Sequence, residues 1–372
     1  MATGFVHSST PSRRRRSCCP RLEALEVRWT LSQTLPADGT ILVTNTRMLN
    51  PNAPTGIVEV NPITGAQSIL SSGGYFVAPF DVREAPNKTL YVEDYASQTS
   101  GAVIAVDPST GAQRLVASGG YIDGPFAIQY MKGHIFLADS GTILGTTPNI
   151  IEIDPSTGKQ TLVTQGGNIG EPVALQPGPG NTIYVANFVA GDIFQVDIHT
   201  GAQRLIASGG YLHTLEDMAT DPDGNLIVVG TAGAGSPGFG KVVRVDPRTG
   251  NQTLISTGGL LINVAGDSVD RAGDIFVSGD PSTLHGTPAR ILEVNPSTGA
   301  QSIISTGGFL DGVTGQVEFY HNQGNGDPAA PDATTSTRGT AIVASDAGIA
   351  LAVALVTNPK KGLHSALATP GW

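Results

Sequence analysis

The chain has 372 residues, 48 of them glycine and only 14% charged, with a formal net charge of −10. Six arginines and two glutamates fall before residue 30, so the remainder carries 15 basic and 29 acidic residues, net −14. Such a body repels nucleic acid and anionic membranes, and two adjacent cysteines, Cys18 and Cys19, exclude a disulfide framework and a four-ligand zinc.

Residues 1–33 read as a basic leader. Ser12-Arg-Arg-Arg-Arg-Ser-Cys-Cys-Pro-Arg21 has no apolar run behind it, so it is not an ordinary secretory signal. The plain alternative is a solvated basic tail.

Residues 34–320 are built from one repeated sentence. A strand ending in Asx recurs at Thr40–Asn45, Thr89–Asp94, His134–Asp139 and Thr182–Asn187, with glycine in the Asx place at Asn225–Gly230 and Asp274–Gly279. A hairpin follows each, as in Val106-Asp-Pro-Ser-Thr-Gly-Ala-Gln-Arg-Leu-Val-Ala-Ser-Gly-Gly120. Its turn glycines (Gly65, Gly111, Gly158, Gly201, Gly250 and Gly299) lie 46, 47, 43, 49 and 49 residues apart, a period typical of propellers. Apolar residues alternate before each turn (Ile104/Val106, Val243/Val245), the pattern of a strand with one buried face. Asx opens the turn by accepting backbone hydrogen bonds, proline presets φ, and glycine takes the left-handed position. A shorter apolar stretch, such as Pro125–Ile128, precedes the next strand. Four strands per repeat, A to D, in six repeats predict an all-β fold: a six-bladed β-propeller of four-stranded antiparallel blades. Blade one lacks its own A strand, and Val313–Phe319 repeats the required phase, so it is expected to cross the seam and close the ring.

Residues 321–372 read as a low-complexity linker and tail. Ala341–Val356 is apolar apart from Ser345 and Asp346, too short and too charged for a membrane span, so a strand pair or tail is expected.

Two resemblances accompany these patterns. The Pro-x-x-Ile/Leu, Ile-Tyr-Val-Ala-Asx and Val-Asp-Pro-x-Thr-Gly segments between Leu35 and Phe319 resemble NHL and YVTN-type propellers and their gluconolactonase-like relatives. The run Arg21-Leu-Glu-Ala-Leu-Glu-Val-Arg28 resembles the leader of many large bacterial surface and secreted proteins, which implies export to an extracellular or cell-envelope location.

The B–C loops vary in length while the C–D turns do not, which puts ligand recognition on the B–C face, over the channel. Asn45, Asp94, Asp139 and Asn187 end B strands there. They read either as a ring of oxygen ligands for a divalent cation such as calcium or as turn caps, and repetition in four blades favours caps. Tyr75, Tyr121 and Tyr211 follow Gly-Gly pairs, and read either as a ligand platform or as filling between blades, which the period favours. The gluconolactonase-like resemblance implies a metal held near the A-strand starts. Pro79, Pro125 and Pro172 stand at those places in three blades, and only Glu216, beside Asp217, offers oxygen. The streptogramin-lyase-like pattern needs a His and a Glu on that face, for which His213 and Glu216 are nearest.

The function expected is an exported, non-catalytic monomer that binds a protein, peptide or glycan on its loop-rich face without a cofactor. The alternative is a metal-dependent lactonase or lyase centred on His213, Glu216 and Asp217.

Overall fold

The computed structural model describes residues 35–46, 54–97, 100–141, 145–231, 239–280, 287–310 and 314–320, with side chains left out at 96, 97 and 314–316. The leader, the 321–372 tail and Val313 lie outside the described residues. The strands form six four-stranded antiparallel sheets, the six blades expected from the repeats. The inner A strands are Thr314–Tyr320 in blade 1, Pro79–Glu84 in blade 2 and Pro125–Met131 in blade 3. Those of blades 4, 5 and 6 are Pro172–Pro177, Leu215–Thr220 and Val264–Val269.

The ring closes across its termini as the phase of the sequence requires. Thr314–Tyr320 pairs antiparallel with Thr40–Asn45, with Val43 opposite Val317 and Ile41 opposite Phe319. Gly39 N donates to Tyr320 O at 2.8 Å, and Phe319 packs edge-on against Phe276 of blade 6 at 4.5 Å.

Each C–D hairpin follows its chemistry. The Asx Oδ1 accepts from the amide two residues on, as in Asp107 to Ser109 at 2.8 Å, and the turn glycine donates back to the Asx carbonyl. These bonds hold the Asp107, Asp154, Asp197 and Asp246 carboxyls below their ordinary range; the Ser109 hydroxyl dominates for Asp107 and the Ser156 hydroxyl for Asp154. Backbone amides dominate for the other two, from Thr200 and Arg248.

The turn glycine does a second job. At Gly111 φ is +69°, and an added Cβ would lie 2.4 Å from the Leu70 carbonyl oxygen of the preceding blade. The same clash with a neighbouring carbonyl recurs at all six turn glycines. Gly111→Val should therefore cost more than the roughly 1–3 kcal/mol of backbone strain alone, because the blades must also part. Pro108→Ala should cost under about 1 kcal/mol, since it mainly loosens the unfolded chain. Equal shifts in thermal midpoint for the two variants would refute this account.

Adjacent blades are latched by the glutamine two residues after the turn glycine of each repeat. Gln113 accepts from Tyr75 N at 2.7 Å and donates to Ser71 Oγ and Gly73 O of the preceding blade. Gln160, Gln203, Gln252 and Gln301 take the same backbone amide around the ring. Gln67 closes it, accepting from Phe309 N and donating to Gly307 O and Ser305 Oγ of blade 6. The wedges between blades are filled by the residue after the expected aromatic: Phe76, Ile122, Ile169, Leu212, Leu261 and Leu310 are all buried.

Candidate functional site

The B–C loops emerge beside the D–A linkers, so one face carries both. Tyr95 N donates to Ala78 O, Ser140 N to Gly124 O, and Phe188 N to Glu171 O, each pairing a loop with a linker. Parts of five B–C loops lie outside the described residues. At this end each A strand of blades 2 to 6 has a register shift that leaves one residue unpaired: Phe80, Phe126, Val173, Glu216 and Ala265. A bulge re-aims a side chain, and here five bulges ring the mouth of the central channel.

The four predicted Asx residues are buried, and their side chains hold the linkers into their own A strands. Asp94 accepts from Val77 N at 2.8 Å and Ala78 N at 3.0 Å. Asp139 accepts from the amides of Asp123, Gly124 and Gly141. Asn187 accepts from Gly170 N and donates to Asn168 O and Asp192 Oδ1. Asn45 donates to the Phe309 carbonyl. Burial raises the Asp139 carboxyl, opposed by its three amide donors.

Where glycine replaces Asx, the linker changes conformation. Thr214 and Asn263 take φ of +41° and +49°. A Cβ on Gly230 would meet the Thr214 carbonyl at 2.5 Å, and one on Gly279 the Ile262 carbonyl at 3.0 Å. In those blades the backbone occupies the space an Asx side chain would need.

Tyr75, Tyr121 and Tyr211 are 53%, 46% and 47% exposed. This corrects their expected role as wedge filling: their backbones are latched by the next blade's glutamine, and the following residue fills the wedge. Val77 and Val189 are exposed on the same face.

The channel itself is plugged. Arg83 of blade 2 lies 3.0 Å from Asp81, 3.5 Å from Glu318 of blade 1 and 3.8 Å from Asp217 of the opposite blade 5. Asp81 also accepts from Ile128 N, and Asp217 from Asp267 N, so the two acids brace the next inner strands. Asp267 is buried beside Asp217, with the Ala219 amide near its carboxyl. Burial pushes Asp81 up to about 6, Glu318 to about 7 and Asp217 to about 8, each opposed by the Arg83 charge.

Among the alternative catalytic residues, His213 is exposed on the linker, Asp217 is buried in the plug, and Glu216 lies half-buried at the mouth. Burial, then Asp280 and Asp217, push Glu216 up to about 8. Among the described residues no three His, Cys, Asp or Glu side chains converge as a metal site. Two surface hollows, of about 230 and 600 Å³, adjoin Leu35, the C–D turns and an A–B connector rather than the mouth.

Sequence reasoning missed Arg83, Glu93 and the six glutamines. Only the glutamines left a repeated signal.

No protein-family model matches the chain, and no curated protein matches it. A solved structure described as a nidogen/laminin complex contains a chain matched with a TM-score of 0.56 at 11% identity. The match covers 75% of this chain and 97% of that one. At that identity the likeness shows the fold alone.

Proposed function

We propose that this chain is a non-catalytic propeller that binds a protein partner on its B–C face, in an extracellular or cell-envelope setting. The observation that carries the reading is the set of exposed side chains Tyr75, Val77, Tyr121, Val189 and Tyr211 on that face. Aromatic residues are enriched at protein interfaces, and these stand exposed on a backbone fixed by glutamine latches. The matched chain comes from a structure titled as a complex of two proteins, in keeping with this use of the fold. Export rests on the leader run alone.

The test is capture from envelope and secreted extracts by the wild type and by a Tyr75→Ser, Tyr121→Ser, Tyr211→Ser variant of equal thermal stability. Loss of a specific partner in the variant is expected; the same proteins captured by both would sink the reading. A second reading, hydrolysis or elimination with Glu216 as acid or base, is favoured by its raised pKa at the mouth. A lactone-hydrolysis screen with Glu216→Gln tests it: activity lost in the variant would favour the enzyme.

A further inference from the structure

In a repeat protein a departure confined to one blade stands out. The penultimate B-strand position holds Thr44, Ala138, Ala186, Val229 and Ser278 in five blades, and a carboxylic acid, Glu93, in blade 2. Glu93 is 0% exposed, and neither of its oxygens has a hydrogen-bond partner. The Asp81 amide lies near it but outside hydrogen-bonding geometry.

Strand alternation sets Tyr91, Glu93 and Tyr95 on one side, toward blade 3. Tyr91 stacks on Tyr130 of that blade at 5.5 Å, and Tyr95 meets Phe126 at 5.0 Å. Glu93 therefore sits one step below the Tyr95–Phe126 contact. Phe80 stands near-perpendicular to Phe126 with ring centroids 5.6 Å apart, so three half-buried rings rim the seam above the acid. Aromatic residues occupy the bulge position in blades 2 and 3, against Val173, Glu216 and Ala265 in blades 4, 5 and 6.

Among the described residues, no positive charge acts on Glu93. Burial, then the negative charge of Asp81, Asp94 and Asp139, pushes Glu93 well above the ordinary carboxylate range. Asp94 and Asp139 are engaged with linker amides, and Arg83 is engaged with Asp81, Glu318 and Asp217. A buried acid under an aromatic rim is complementary to an organic cation, which gains from both the ring faces and the carboxylate.

We propose that the seam between blades 2 and 3 at the channel mouth receives one basic side chain of a protein partner, whose ammonium or guanidinium passes Tyr95, Phe126 and Phe80 to pair with Glu93. In that pair Glu93 is the carboxylate, and any proton it carries leaves to water. The inference rests on the protein-binding reading of this face and names what one partner residue contributes.

The experiment uses the full chain and three capped tripeptides, glycine–X–glycine with X lysine, arginine or the neutral isostere norleucine, followed by calorimetric titration. Binding of a basic peptide and not of norleucine is expected. Glu93→Gln should weaken that binding by about tenfold or more, and Phe126→Leu should weaken it less. Because Glu93→Gln copies the protonated acid, its thermal midpoint should match or exceed that of the wild type, separating loss of the site from loss of the fold. No basic peptide bound at tens of millimolar, equal binding of norleucine, or unchanged binding to Glu93→Gln would each overturn the proposal. If the tyrosine-dependent partner is still captured in that event, only this site is lost. Loss of capture with peptide binding intact would instead strike the wider reading.

Discussion

A chain ending at Gly308 should fail to hold a closed ring, whereas one ending at Gly324 should melt within a few degrees of the full chain. The shorter one loses the inner strand of blade 1, which supplies Val317, Phe319 and Tyr320 to the core. At about 1.5–3 kcal/mol per large apolar side chain buried, those residues contribute about 5–9 kcal/mol. That is comparable with the whole stability of an ordinary domain, about 5–15 kcal/mol. It also uncovers the edge of Thr40–Asn45, and removes Glu318 from Arg83 and the Phe309 amide from Gln67. The longer chain keeps all of these contacts. Circular dichroism melts and limited proteolysis would check the pair, and Val317→Asn in the full chain gives a milder lesion at the same seam. Equal midpoints for both truncations would show that the strand is not needed to close the ring.

That seam was legible because closure follows from phase: one blade lacked an inner strand and one surplus segment carried the right alternation. The turn glycines were legible for a similar reason, since asparagine or aspartate and glycine at fixed offsets leave few backbone conformations. Their contact with the neighbouring blade was not, because nothing in a hairpin shows which carbonyl will lie beside it. The aromatic residues after Gly-Gly illustrate a shift of one. Tyr121 looked like the wedge filler, but the glutamine latch fixes the backbone there and turns Ile122 inward. The mouth was the least legible region. Arg83 and Glu93 each occur in one blade, and Asp217 is 134 residues from Arg83 in sequence, so periodicity carries no signal for either.

Replacing Arg83 by methionine should destabilise the ring far more at pH 8 than at pH 5. The guanidinium is buried among Asp81, Asp217 and Glu318, with Asp267 close enough to act on it. Breaking a buried ion pair by deleting one partner costs about 3–5 kcal/mol, because the remaining charge is left without compensation. Here the penalty depends on whether the acids are charged. Burial raises Asp81 to about 6, Glu318 to about 7 and Asp217 to about 8. In the unfolded chain all three return to about 4, so between pH 4 and 8 the folded state binds more protons. Their contribution to stability is therefore full below about pH 4 and is lost as pH rises through the folded values. The turn aspartates have the opposite sign, but their window lies below pH 4, since their folded values are depressed. Between pH 5 and 9 the wild-type midpoint should accordingly be highest at pH 5 and fall as pH rises. Without Arg83 the acids lose the charge that lowers them and shift further up. At pH 5 they are neutral and need no cation; at pH 8 folding must either hold protons or bury uncompensated carboxylates. Melting curves of the wild type and Arg83→Met from pH 5 to 9 should diverge as pH rises. Parallel curves, or a larger loss at pH 5, would mean that Arg83 fills space in the channel without answering the charge around it.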